Sequence, residues 1–99
     1  MAILVMVRAR LRGDTAAAQQ LHDQVTGATK EMARGAGDIG HRTYLNPADP
    51  KDFLGIDEWQ SAEQFQAFSS NPQIAEFFGQ LFEGEPEVSV WAPSGWNEW

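Results

Sequence analysis

The chain has 99 residues, 42% of them hydrophobic and 21% charged, with a net charge of −7 and no cysteine. This composition excludes a disordered chain and predicts one folded domain over residues 1–99. Without cysteine there is no disulfide, thiolate nucleophile or zinc–thiolate site, which fits a cytoplasmic location. The acidic charge argues against nucleic acid and against an anionic membrane as partners.

The first part of the chain predicts a strand, a long helix and a second strand. Ile3–Leu11 is rich in aliphatic and β-branched residues, and its apolar run is too short to span a membrane. A helix then begins after an N-cap at Asp14 or Thr15 and ends at the glycines of Gly35–Gly37. Its predicted apolar stripe comprises Leu21, Val25, Ala28 and Met32. Ile39–Leu45 follows as the second strand.

A hairpin and an interrupted helix are predicted next. Asn46–Pro50 contains two prolines and predicts a turn that leads into a third strand, Phe53–Trp59. Ser61 opens the second helix with the capping-box sequence Ser-Ala-Glu-Gln. Asn71 and Pro72 restart this helix as its cap and its first helical residue.

The last predicted elements are a fourth strand, Val88–Ala92, and a C-terminal tail over residues 93–99. The tail contains Trp96 and Trp99. Two exposed tryptophans would favour aggregation. We therefore expect one of them to pack on the domain or on a partner subunit.

The predicted order β-α-β-β-α-β is typical of the ferredoxin-like α+β fold, a four-stranded antiparallel sheet with two helices on one face. The strands carry apolar residues at both parities, as Leu4 and Val5 or Phe53 and Leu54 illustrate. In a lone subunit, one face of such a sheet can stay polar. We therefore expect a homodimer in which a second copy covers the outer face, forming a dimeric α/β barrel.

The run from Ala48 to Trp59 and the helix up to Phe68 resemble the antibiotic-biosynthesis monooxygenase family. The shared elements are an Asp-Pro turn, a strand that ends in Glu-Trp, and a helix with phenylalanines. The final strand, Pro-Glu-Val-Ser-Val-Trp up to Trp91, also fits. The resemblance implies a pocket between sheet and helices in each subunit. It specifies the reaction less well, because the superfamily includes haem-degrading enzymes and quinol monooxygenases.

The resemblance implies oxidation of a small aromatic, phenolic or polyketide-type compound with molecular oxygen and no cofactor. Such chemistry needs deprotonation of the substrate, donors for the anion and a dry aromatic cavity. The haem-binding branch uses an asparagine, a tryptophan and a histidine where this chain has Met6, Phe68 and Phe78. No haem is therefore expected. No metal site is expected either, because the two histidines lie on separate elements.

Three residues are candidate catalytic groups: His41, Tyr44 and Trp59. His41 is a plausible general base near neutral pH, or else a structural histidine in the core or at the dimer seam. The Tyr44 hydroxyl would donate to a substrate oxygen, or the ring simply packs in its strand. Trp59 either walls the pocket or packs the hairpin on the second helix. His22, beside the apolar stripe, is predicted to be a surface residue.

Six residues are candidate substrate-binding groups: Met6, Arg42, Phe65, Phe68, Phe78 and Trp91. The phenylalanines also fit a plain helix core. For Arg42 we favour an ion pair with a glutamate across the sheet over a role at an anion. We also expect Asp57 or Glu58 to pair with an arginine of the first strand; because they point to opposite faces, these two are not an acid–base dyad.

Three hypotheses for the function stay open at this point. The first is a cofactor-independent oxygenase with a cavity beside its candidate catalytic residues. The second is a catalytically silent barrel that binds a small molecule or is structural, with phenylalanines filling the interior. The third is a flavin- or quinone-linked accessory protein, which no feature of the sequence singles out.

Overall fold

The computed structural model describes all residues, 1–99. Its elements are β1 (Ile3–Leu11), α1 (Thr15–Ala36), β2 (Asp38–Asn46), β3 (Asp49–Trp59), α2 (Ala62–Ser69), α3 (Pro72–Leu81) and β4 (Phe82–Trp91). The predicted ferredoxin-like α+β fold is confirmed. The expected second helix is present as two helices, because the predicted restart at Asn71 and Pro72 separates α2 from α3.

The four strands form one antiparallel sheet in the order β2-β3-β1-β4. Residues paired across antiparallel strands point to the same face of a sheet. One row, on the face that the helices cover, consists of His41, Asp57, Val5 and Val90. The next row, on the outer face, consists of Arg42, Ile56, Met6 and Ser89. Neighbours in sequence are thus separated by the thickness of the sheet.

The helix N-termini are capped as predicted. The Asp14 carboxylate accepts a hydrogen bond from the Ala17 amide at 2.7 Å. The Ser61 hydroxyl accepts one from the Gln64 amide at 3.2 Å, and the Asn71 side chain accepts one from the Gln73 amide at 3.0 Å. Each cap contributes about 1 kcal/mol by satisfying an otherwise free backbone donor.

The predicted hairpin turn is shorter than expected, and the fourth strand begins earlier than expected. The hairpin turn is only Pro47 and Ala48, and Pro50 lies within β3. The strand tolerates this proline because the pairing with β2 shifts register between Leu45 and Asn46. Likewise β4 begins at Phe82, well before the predicted start. Its pairing with β1 also shifts register, and Gly84 adopts a φ of 70° there.

Helix α1 buries a different stripe from the predicted one. Ala28 is exposed and Met32 is 45% exposed, so these two members of the predicted stripe are wrong. The side chains on the inward side are Ala18, Leu21, His22, Val25, Thr26, Thr29 and Ala33. They follow helical spacing, but several are polar because they face a cavity rather than solid core. A stripe drawn through apolar residues alone misses them.

The core consists of two clusters that meet at Val7. One comprises Ala9, Leu11, Ala18, Phe53, Leu81 and Phe82, and the other Ile3, Val5 and Trp59. Burying a large apolar side chain contributes about 1.5–3 kcal/mol, so these clusters hold the helices on the sheet.

The tail after Trp91 forms no helix or strand. Trp96 is 83% exposed and Trp99 is fully exposed, so the expected packing on the chain's own domain is wrong. Packing on a partner subunit stays a prediction. No helix combines the length and apolar character needed to cross a membrane.

Candidate active site

A cavity of about 750 Å³ lies between the helix-covered face of the sheet and the three helices. Its size is within the usual range for small-molecule sites. Gly55 lies in its floor, where an added Cβ would meet the Phe53 ring at 3.3 Å. The missing side chain therefore helps to keep this space open.

His41 and Asp57 form the central polar contact of the cavity. They are cross-strand neighbours on β2 and β3, and His41 Nδ1 lies 2.7 Å from Asp57 Oδ1. The His41 side chain is 35% exposed. The hydrogen bond to Asp57 raises the pKa of His41 above its ordinary value, against the opposing effect of burial. Burial tends to raise the pKa of Asp57, but the hydrogen bonds from His41 and Asp38 outweigh it and lower that pKa.

Asp38, at the start of β2, is a buried acid beside this pair. A register shift between Asp38 and Gly40 interrupts the regular alternation of β2, and the Asp38 carboxylate accepts a hydrogen bond from the Gly40 amide at 3.0 Å. Burial, together with the neighbouring Asp57 carboxylate, raises the pKa of Asp38 to about 8. This raised pKa favours the protonated form of Asp38 at neutral pH.

His22 is part of this site, so its assignment to the surface is wrong. Its side chain is only 15% exposed, and its Nε2 lies 3.0 Å from His41 Nε2. Its Nδ1 lies 3.0 Å from Asp23 Oδ1, while Thr26 Oγ1 is 3.3 Å from its Nε2. The sequence carried a signal for this placement: residues 18, 22, 25, 29 and 33 form a helical stripe once polar members are allowed.

Aromatic side chains form the remaining walls, as predicted for Trp59, Phe65, Phe68 and Phe78. Trp59 is only 2% exposed, and its ring centroid lies 5.7 Å from Phe65 and 5.2 Å from Phe68. It is a core residue and a cavity wall at once. Phe78 packs on Phe82 with a centroid distance of 5.4 Å.

Four of the candidate residues lie outside this cavity: Met6, Arg42, Tyr44 and Trp91. All four belong to the outer face, because their strand parity is opposite to that of His41. Met6 and Tyr44 line a separate groove of about 360 Å³ there, together with Arg8 and Asp52. The expectation that these four share a pocket with His41 is therefore corrected.

The expected ion pairs also differ. Arg42 forms none, and neither Asp57 nor Glu58 pairs with an arginine of β1. The register explains this, since Glu58 lies opposite Leu4. The β1 arginines instead pair with Asp52, at 2.9 Å from Arg8, and with Asp49, at 3.0 Å from Arg10.

The cavity lining includes one lysine and one arginine, Lys30 and Arg34, both on α1. Neither forms an ion pair. No group of three His, Cys, Asp or Glu side chains is arranged to hold a metal ion. The site thus combines an imidazole–carboxylate network, aromatic walls and two free cations.

This fold and cavity define a ferredoxin-like domain with a cavity between its sheet and its helices. The family model described as Antibiotic biosynthesis monooxygenase matches residues 4–80, and the chain belongs to that family. The family resemblance inferred from the sequence is therefore confirmed. No curated protein sequence matches the chain significantly.

Three solved structures illustrate the shared fold. SnoaB, a cofactor-independent oxygenase from Streptomyces nogalater, is 17% identical with a TM-score of 0.74, over 93% of this chain and 92% of that one. The monooxygenase from the gene ActVA-Orf6 of Streptomyces coelicolor, in complex with Nanaomycin D, is 19% identical with a TM-score of 0.74, over 98% and 91%. A putative antibiotic biosynthesis monooxygenase from Bordetella bronchiseptica is 15% identical with a TM-score of 0.76, over 93% and 96%.

Proposed function

We propose that the protein is a cofactor-independent monooxygenase that oxidises a small phenolic, polyketide-type compound with molecular oxygen. The observation that carries the proposal is the His41–Asp57 pair, with its 2.7 Å contact, at an aromatic cavity of about 750 Å³. A histidine oriented by a carboxylate is suited to remove a proton near neutral pH. The solvent-poor walls suit an intermediate that water would quench.

The proposed reaction balances without an added reductant. His41 takes a proton from an acidic CH₂ group of the aromatic substrate, and the carbanion gives its electron pair to O₂ as a C–O bond forms. The second C–H proton then leaves as the O–O bond breaks, which produces a carbonyl group. The departing oxygen is protonated to water. One CH₂ group and one O₂ thus yield one C=O group and one H₂O.

Two of the structural neighbours carry matching descriptions. SnoaB is described as a cofactor-independent oxygenase, and the ActVA-Orf6 protein as a monooxygenase in complex with Nanaomycin D. At identities of 17% and 19%, these structures support the fold alone, and we propose similar chemistry for this chain. The open cavity also favours an oxygenase over a silent barrel whose phenylalanines would fill the interior.

The substrate we propose is a flat, multi-ring compound with an acidic substituent. Phe65, Phe68 and Trp59 offer aromatic faces for stacking. Lys30 and Arg34 line the same cavity without an acidic partner, so a carboxylate or phenolate on the ligand would complement them.

We also propose that the working form is a homodimer joined through the outer sheet face. This face exposes large apolar side chains, among them Tyr44, which is 48% exposed, and Trp91, which is 57% exposed. A second sheet placed on this face would remove them from water. The single-domain organisation and the cytoplasmic location stay predictions from the sequence.

Oxygen uptake with a panel of hydroxyanthrones, which carry the acidic CH₂ group of the proposed reaction, tests the proposed activity. We expect turnover by the wild-type chain and a loss of about 10²–10⁴-fold in His41→Phe, because the general base is gone. Gln20→Ala, on the exposed side of α1, is the control and retains wild-type turnover. Absence of oxygen uptake with every compound, or full activity in a folded His41→Phe variant, would contradict the proposal.

A further inference from the structure

The two imidazoles of the cavity meet end to end. The ring planes of His22 and His41 are inclined by only 18°, and the ring centroids are 5.2 Å apart. That separation is too long for face-to-face contact. The centroid distance matches two rings that meet edge to edge. It is made up of the 3.0 Å between the Nε2 atoms and, in each ring, the distance from Nε2 to the ring centre. The rings are therefore nearly coplanar, with the two Nε2 atoms facing each other as in an N–H···N hydrogen bond.

The contacts of the two Nδ1 atoms show how many protons the His22–His41 pair carries. His41 Nδ1 faces Asp57 and His22 Nδ1 faces Asp23, at 2.7 Å and 3.0 Å. A carboxylate only accepts hydrogen bonds, so each Nδ1 carries a proton. Two neutral imidazoles in this state would turn two lone pairs toward each other at Nε2. The 3.0 Å contact therefore needs one further proton between the rings.

The surroundings favour the resulting positive charge. Asp23 from α1 and Asp57 from β3 contact the two ends of the pair, and Asp38 from β2 faces Asp57. The opposing cations in the cavity are Lys30 and Arg34, also from α1. The lining residues from β1, β4, α2 and α3 are uncharged. A metal ion fits less well, because two nitrogens bound tetrahedrally at about 2.0–2.1 Å would lie about 3.3 Å apart.

We propose that His22 and His41 act as one proton-accepting unit. The arrangement seen here is the proton-bearing form of this unit; once it has released that proton to solvent, it takes one from the substrate and holds it between the two Nε2 atoms. This assignment rests on the proposed oxidation in the cavity. The shared proton leaves a cation beside the substrate anion while O₂ reacts. The unit then returns this proton to the oxygen that departs as water, so no proton is gained or lost over the cycle. His22 thereby becomes a second catalytic residue.

Nitrogen-15 NMR of the histidine side chains tests proton sharing without reference to turnover. In the full-length, chelator-treated protein, we expect both Nδ1 atoms to stay protonated while the two Nε2 atoms share one proton. In His22→Phe, which keeps a ring beside His41, the pKa of His41 should fall back toward its ordinary value. Independent titration of the two rings, or retention of one equivalent of added Zn²⁺ by both Nε2 atoms, would overturn the proposal.

The pH profile of oxygen uptake tests the catalytic part. In His22→Phe, we expect kcat to fall about tenfold and the acid limb of the profile to move to lower pH, because a lone imidazole is a weaker base. His22→Gln supplies an acceptor near His41 but no second basic nitrogen. If His22 only packs against His41, His22→Gln restores the wild-type profile. If the proton is shared, the profile stays shifted, and Gln20→Ala matches the wild type.

The NMR experiment and the oxygen-uptake experiment distinguish failure of the proposed oxidation from failure of the proposed His22–His41 unit. A shared proton in a chain that consumes no oxygen with any compound would defeat the proposed oxidation and leave the pair intact. Oxygen uptake that depends on His41 but is unchanged in His22→Phe would defeat the pair and leave the oxidation intact.

Discussion

The two faces of the sheet use the same residue types for different purposes. On the outer face of the single chain, carboxylates such as Asp52 meet exposed arginines, and the hydrogen bond from Arg8 lowers the pKa of Asp52. On the helix-covered face, Asp57 meets an imidazole beside the buried Asp38, whose pKa is raised. Exposed ion pairs contribute little because water screens them. The same charges in a half-buried cavity shift pKa values and can perform proton transfer.

The largest effect that would sharpen this contrast is expected at Gly55. In Gly55→Val, the new side chain would enter the cavity floor and press on the Phe53 ring. We expect no measurable oxygen uptake and a loss of about 1–3 kcal/mol in unfolding free energy from overpacking. Ile56→Val, the next residue on the outer face, is the matched control and retains turnover. Turnover in Gly55→Val at the wild-type rate would place the reaction elsewhere.

A smaller but more specific effect is expected at two adjacent acids. Asp57→Asn removes the carboxylate that orients His41, so kcat should fall about 10²-fold. Glu58→Gln makes the same chemical change one residue later, on the opposite face, and should leave kcat unchanged. Steady-state kinetics of both variants measure the difference. Equal losses in the two variants would remove the distinction between the faces.

The smallest effect concerns stability and its dependence on pH. The raised pKa of Asp38 means that its contribution is fully present below the unfolded-state value near 3.8 and is lost once the pH has risen through about 8. Asp38→Asn removes this loss, so we expect it to stabilise the protein by about 1–2 kcal/mol at pH 9 relative to wild type, after allowance for solvent screening. Urea unfolding at pH 5 and pH 9 measures the change.

Asp52→Asn on the outer face should change the stability with the opposite dependence on pH. The pKa of Asp52 is lowered, so its contribution is present above the unfolded-state value and is lost as the pH falls through the lower folded-state value. We therefore expect Asp52→Asn to lower the unfolding free energy at neutral and alkaline pH and to leave it unchanged at strongly acid pH, where the wild-type contribution is already lost. Equal unfolding free energies of the wild type at pH 5 and pH 9 would contradict the assignment of a raised pKa to Asp38.

Much of the fold could be predicted because its signals are local. The caps at Asp14 and Ser61 and the restart at Asn71 depend on residues a few positions apart, and all three are found as predicted. The family pattern around Trp59 also implied aromatic pocket walls, and Trp59, Phe65, Phe68 and Phe78 line the cavity. The turn judged from composition at Pro50 and the predicted start of the fourth strand at Val88 were wrong, because shifts in register let β3 and β4 extend over more residues.

The candidate site was only half predictable. Sequence placed His41 and the phenylalanines at the cavity but could not separate them from Tyr44 and Arg42, since strand parity alone does not say which face the helices cover. His22 was missed because apolar periodicity favours solid core, whereas this part of α1 faces a cavity.

The sequence by itself determined the order of elements, their caps and the family, because these depend on neighbouring residues and on a pattern that spans most of the chain. Only the tertiary structure decided that His41 meets both Asp57 and His22, contacts at sequence separations of 16 and 19 residues. Such contacts depend on the register between β2 and β3 and on the rotation of α1 about its axis. Packing of the whole domain sets both.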